Sequence, residues 1–141
     1  MAVKRYYAKI DNTITNAFEE NLTTRGTGSN MGASDIIEVF SIYGQVSGSS
    51  GFSTEEARIL IEFDITEIQT DITSGILDSG AKFYLRLFNA EHGRTLPMGF
   101  QLEVDKVTAA WEEGTGLDME NYDDLSYGKG SNWEEKGSSI T

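Results

Sequence analysis

The chain has 141 residues, no cysteine, and 11 basic against 23 acidic residues, for a formal net charge of -12. That length supports one hydrophobic core, and the missing thiols exclude disulfides, thiolate metal sites and a cysteine nucleophile. The charge argues against nucleic acid and anionic membrane surfaces as partners, and leaves plain solvation, cation binding or docking on a basic partner.

Fifteen glycines and a single proline, Pro97, break the apolar residues into short runs, which favours many strands and turns over a few long helices. No run approaches the roughly 20 apolar residues needed to span a bilayer. Lys4 and Arg5 are not followed by an apolar stretch, so the start does not read as a secretory signal and synthesis in the cytoplasm is expected.

Residues 3–18 alternate loosely and predict an edge strand with a bend at Asp11-Asn12. Residues 21–34, rich in Thr, Gly, Ser and Asn, predict a surface loop. Within it, Arg25-Gly26-Thr27-Gly28-Ser29-Asn30-Met31-Gly32 has the look of a phosphate-binding glycine loop, but the strand and helix that such a loop joins are missing from the pattern. Asp35 to Tyr43 predicts a strand apolar on both faces, and 45–54 a projecting loop. The clearest strand follows in Ala57-Arg58-Ile59-Leu60-Ile61-Glu62-Phe63-Asp64-Ile65, with Ile59, Ile61, Phe63 and Ile65 on the inner face. Residues 67–80 allow at most one irregular turn of helix, because Thr and Gly interrupt the spacing. Ala81 to Phe88 and Phe100 to Asp105 alternate again and predict antiparallel neighbours. The expected architecture is all-β: an antiparallel β-sandwich with long loops over 1–114, and a loop-rich, acidic, glycine-rich tail over 115–141.

Little in the sequence carries chemistry. His92 is the only histidine and lies in a polar loop, with no nucleophile-elbow motif to complete a triad. Glu112 and Glu113 are adjacent, so on a strand they point to opposite faces and do not flank one glycosidic bond. No catalytic residue and no cofactor are expected, and the protein is not read as an enzyme. Asp118, Glu120, Asp123 and Asp124 form the densest acidic group and the one weak calcium candidate, although the twelve-residue calcium-loop pattern is missing. Trp111, after a Val-containing strand, reads as a plug at the end of the core. Trp133, in a polar loop, reads as a contact for a neighbouring chain or a glycan.

Two resemblances add to this. Arg58 opening a strand that ends in Phe63-Asp64, Ala81 opening the next long strand, and Trp111-x-Glu113 after Leu102-Glu103-Val104 resemble, in that order, the DNRLRE-type β-sandwich domain. That likeness covers roughly residues 8–113. It implies a jelly-roll-like sandwich in which Arg58, Phe63, Asp64 and Trp111 keep the fold. The opening, Tyr6-Tyr7-Ala8 through Asp11-Asn12-Thr13-Ile14-Thr15-Asn16-Ala17-Phe18 with Thr24 to Asp35, together with Trp111-Glu112-Glu113-Gly114-Thr115-Gly116-Leu117-Asp118, is similar to virion structural proteins of large contractile-tailed marine phages. These usually continue with further strands, so 115–141 is expected either to begin such strands in a longer parent protein or to belong to a shortened form. The likeness implies a non-enzymatic virion component, in capsid decoration or in the tail, collar or baseplate, bound to other virion proteins in symmetric copies. The alternative reading is a carbohydrate-binding or adhesion sandwich of a secreted or surface protein, with a glycan as partner.

Overall fold

The structure is a computed structural model and describes residues 3–45, 52–78, 80–91, 93, 98–117 and 130–137. Its regular elements are β1 (Ala8–Thr15), β2 (Ser41–Gln45), β3 (Phe52–Phe63) and α1 (Ile65–Thr73). Strand outweighs helix, and the three strands form one antiparallel sheet in the order β1-β3-β2, in keeping with the β-rich class expected.

The long central strand holds its two neighbours along different halves. β2 pairs with the first half, from Gln45↔Phe52 to Ser41↔Glu56, and β1 with the second, from Thr15↔Ala57 to Ala8↔Phe63. β1 lies at an edge, as its loose alternation suggested, but Asp11-Asn12 does not bend it. The register shifts earlier, between Ala8 and Ile10, and the strand runs on to Thr15.

The chain divides into two compact units, Met1–Asp64 with Ala109–Thr141, and Ile65–Thr108. In the first, the fully buried side chains are mostly polar. Asn12, Thr13, Thr15, Ser29, Asn30 and Ser131 are fully enclosed, whereas the buried apolar residues are Ala17, Met31 and Ala57. Consecutive strand residues point to opposite faces, so burial of both Asn12 and Thr13 means that both faces of β1 are covered. The side chains from Ile59 to Phe63 are half-buried throughout, so β3 does not divide into one inner and one outer face.

The strand expected from Asp35 begins only at Ser41. The Ser34 hydroxyl donates to the Ile36 carbonyl at 2.9 Å, and the Glu38 N–H donates to the Thr13 hydroxyl at 2.9 Å. These side-chain bonds, one local and one reaching back to β1, take the place of a ladder in that stretch.

In the second unit, residues 65–73 form a helix of nine residues rather than the single turn expected, and Ile65 starts it instead of ending β3. Asp64 stands in the N-cap position with Glu67 three residues on, a favourable start for a helix. Its threonines bond back into the helix: Thr70 donates to the Thr66 carbonyl and Thr73 to the Gln69 carbonyl, each at 2.8 Å. Gly75, at φ 75°, closes it in the left-handed conformation that glycine adopts without strain. The two segments expected as strands, 81–88 and 100–105, form no strand and join no sheet among the described residues. Alternation creates a face to bury but does not provide the neighbouring strand.

Candidate functional site

The first unit is organised around two buried asparagines. Asn12, on β1, donates through its amide to the Ser131 carbonyl at 2.8 Å and to the Ser131 hydroxyl at 2.9 Å. Its side-chain oxygen accepts the Met31 N–H at 2.9 Å. Asn30 sits in the loop that carries Met31. Its amide donates to the Glu113 carbonyl at 2.7 Å and to the Ser131 carbonyl at 2.8 Å. Its oxygen accepts the N–H groups of Gly32 at 3.1 Å and Gly116 at 2.9 Å. An amide side chain has two donor hydrogens and an oxygen with two lone pairs, so Asn30 is saturated. No free donor or acceptor remains on it for a ligand.

Around this pair four separate stretches converge: β1, residues 26–34, residues 112–117 and residues 130–137. Backbone bonds reinforce the side chains. Ala33 donates to Gly116 at 2.9 Å, Ser131 to Glu112 at 2.8 Å, Glu112 to Lys136 at 2.9 Å and Trp133 to Thr27 at 3.0 Å. Close approach is built in at glycines. A Cβ on Gly32 would fall 2.0 Å from the Glu113 carbonyl oxygen, and one on Gly130, whose φ is +115°, would fall 2.3 Å from the Gly114 Cα. The glycine loop is therefore part of a backbone clamp, and among the described residues no strand-loop-helix phosphate cradle surrounds it.

At the rim, Glu113 accepts the backbone N–H of Asp11 at 3.0 Å. Burial, and to a lesser extent the nearby Glu113 carboxylate, raises the pKa of the Asp11 carboxyl above the ordinary carboxylate range. Glu113 thus holds a strand, while Glu112 joins the clamp through its backbone. Neither residue lies on a strand in this structure, so the argument from opposite strand faces does not apply to them.

Two residues singled out in the sequence come together. Arg58 pairs weakly with Glu56 at 3.5 Å on the exposed surface, and its guanidinium lies 4.5 Å from the centroid of the Trp133 ring. Arg58 shares a sheet face with Asn12, because Asn12 pairs with Leu60, two residues along β3. The segment 131–133 therefore crosses that face, with Ser131 on Asn12 and Trp133 under Arg58. Phe63 ends β3 opposite Ala8 and is half-buried, Asp64 follows it, and Trp111 is half-buried just before the clamp. A second arginine works differently. Arg25 donates to the carbonyls of Asn16 at 2.7 Å and Thr54 at 3.2 Å, and its guanidinium lies 4.0 Å from the Phe18 ring centroid.

Asp118, Glu120, Asp123, Asp124 and His92 lie outside the described residues. Among the described residues no group of three or more His, Asp or Glu is placed to hold a metal. An open depression on α1 is lined by Thr66, Gln69, Thr70, Thr73 and Ser74, which offer hydroxyls and an amide but no acid-base pair.

The asparagines that hold the site were not singled out in the sequence, although a signal was present. Asparagine is depleted in strands, so Asn12 amid a β pattern marks a position kept for its amide. Asn30-Met31-Gly32 has the spacing of an Asx turn, in which the side chain bonds a backbone N–H two residues on. No family model, curated protein or solved structure matches this chain.

Proposed function

We propose that this protein is a non-enzymatic structural component of a phage virion that works by holding other virion proteins. One observation carries the reading. The three stretches whose wording is similar to virion proteins, 6–18, 24–35 and 111–118, contribute Asn12, Asn30, Gly32, Glu113 and Gly116 to a single clamp. A common architecture would bring such stretches together, and their meeting in one clamp supports the reading. The chemistry of the clamp supports a scaffold role too: its amides are spent on backbone groups of the same chain, so it fixes loops instead of presenting reactive atoms.

The jelly-roll sandwich implied by the DNRLRE likeness belongs to the same proposal. On this reading the sheet β1-β3-β2 is part of one layer. The carbohydrate-binding alternative requires an open aromatic face. Arg58 covers one face of the half-buried Trp133 ring, which leaves less of it open to a sugar and supports the virion reading.

Mass spectrometry of purified, intact particles of the encoding virus tests the proposal. Detection at a fixed ratio to the major capsid or tail protein is the expected result, and absence from such particles rejects it.

A further inference from the structure

β3 lies between two strands, yet each neighbour covers only part of it. On the β2 side Ala57 donates to the Phe40 carbonyl at 2.9 Å, and on the β1 side Asn16 donates to the Glu56 carbonyl at 3.1 Å. The backbone groups of successive strand residues point to opposite edges, so Arg58, Leu60 and Glu62 bond toward β1, whereas Ile59 and Ile61 point toward the β2 side. β2 does not reach them, because its pairing ends at Ser41↔Glu56. Ahead of Phe40 the chain leaves this edge and crosses to β1, where the Glu38 N–H meets the Thr13 hydroxyl. Among the described residues, nothing hydrogen-bonds the N–H or carbonyl of Ile59 or Ile61. β3 therefore has an open edge from Arg58 to Glu62, bounded by Phe40 at Ala57 and by the start of α1 beyond Phe63. Such an edge is a template for another strand.

The residues along the edge select the strand that fits. In Arg58-Ile59-Leu60-Ile61-Glu62, opposite charges stand at equal distances on either side of Leu60. Antiparallel pairing of this stretch with an identical one, centred on Leu60, sets Arg58 opposite Glu62, Ile59 opposite Ile61 and Leu60 opposite Leu60. In that register the two Ile59↔Ile61 pairs are the hydrogen-bonded ones, so the bonds form from the backbone groups that are open. Arg58↔Glu62 and Leu60↔Leu60 fall at the narrow pairs, where side chains come closest. The ladder stops at Arg58↔Glu62, short of Phe40. Within the chain, Arg58 and Glu62 have only weak surface pairs, with Glu56 at 3.5 Å and Lys9 at 3.7 Å. A strand cannot pair with itself inside one molecule, so only a second copy meets this match.

We propose that residues 58–62 of one molecule pair antiparallel with residues 58–62 of a second copy, in a two-fold symmetric contact that joins the two sheets edge to edge. A two-fold contact requires a patch complementary to itself, and this stretch is so in charge, in apolar residues and in hydrogen-bond parity. A chain of charge -12 repels its copy through most of its surface, and the two Arg58–Glu62 pairs supply local attraction at the contact. The pairing goes beyond the virion reading and does not rest on it, since its test is made on the isolated protein.

Sedimentation over a concentration series is expected to show the 15.5 kDa chain passing to twice that mass. Hydrogen exchange followed by NMR should find the Ile59 and Ile61 amides fast in the monomer and slow in the dimer, with Arg58 and Leu60 slow in both because β1 holds them. Arg58→Glu and Glu62→Arg each set like charges opposite one another twice, and each should weaken the dimer about tenfold or more. An equal mixture of the two variants, and the double variant alone, should dimerise as the unaltered chain does. A chain that stays monomeric up to its solubility limit would overturn the proposal, as would charge variants that dimerise undiminished. Ile59 and Ile61 amides already slow in the monomer would also overturn it, since another part of the same chain would then fill the edge. The exchange measurement uses the unaltered chain and decides the matter even where a variant fails to fold.

Discussion

The amide of Asn12 donates to both the carbonyl and the hydroxyl of Ser131, 119 residues further along the chain, and both residues are fully buried. Replacing Asn12 with Ala strands the buried Met31 N–H and removes the donor to the Ser131 hydroxyl, while Asn30 still donates to the Ser131 carbonyl. We expect a loss of about 2–4 kcal/mol in urea unfolding. Asn12→Asp keeps the shape but cannot donate when ionised, so its loss should be similar at neutral pH. A near-neutral Asn12→Asp would show that the amide donor is not what holds Ser131.

Gly32 has no room for a methyl group, because the Glu113 carbonyl oxygen is a backbone atom that cannot rotate away. Gly32→Ala should lower stability by about 3 kcal/mol. Gly75→Ala, at the solvent-open end of α1 with nothing within 4 Å of the added carbon, should cost only the strain of its positive φ. Denaturant midpoints of the two variants measure the contrast.

Arg58 and Trp133 should be coupled. A double-mutant cycle on Arg58→Ala and Trp133→Phe is expected to give about 0.5–1 kcal/mol at this half-exposed site. In a Trp111→Phe background only Trp133 emits, and Arg58→Ala should shift its fluorescence to longer wavelength. An unchanged spectrum would mean that the ring is not under the guanidinium in solution.

Asp11 has a pKa raised first by burial and second by Glu113, so the folded chain holds its proton at a pH where the unfolded chain has lost it. The native state therefore binds more protons in that window, and the contribution of this group to stability is lost as pH rises through the raised pKa. Asp11→Asn should raise the melting temperature at pH 7 by a few degrees at most. The gain should fade as pH falls to the ordinary aspartate range. A gain independent of pH would remove the carboxylate as its cause.

Local pattern determined a good deal here. The alternation from Ala57 to Phe63 marked the strand on which the sheet is built, because a period of two has one backbone solution and needs no distant partner to be recognised. The composition likewise pointed to a β-rich chain, and loose polar alternation placed β1 at an edge. Only the tertiary structure decided which residues hold the chain together. Asn12, Asn30 and Ser131 are ordinary polar residues in the sequence, and their role exists only once donors and acceptors from four remote stretches are enclosed together. The helix after Asp64 and the ladder missing from 81–88 have the same cause: a cap, a helix turn or a strand edge outside the local window decides whether a periodic segment finds its hydrogen-bond partners.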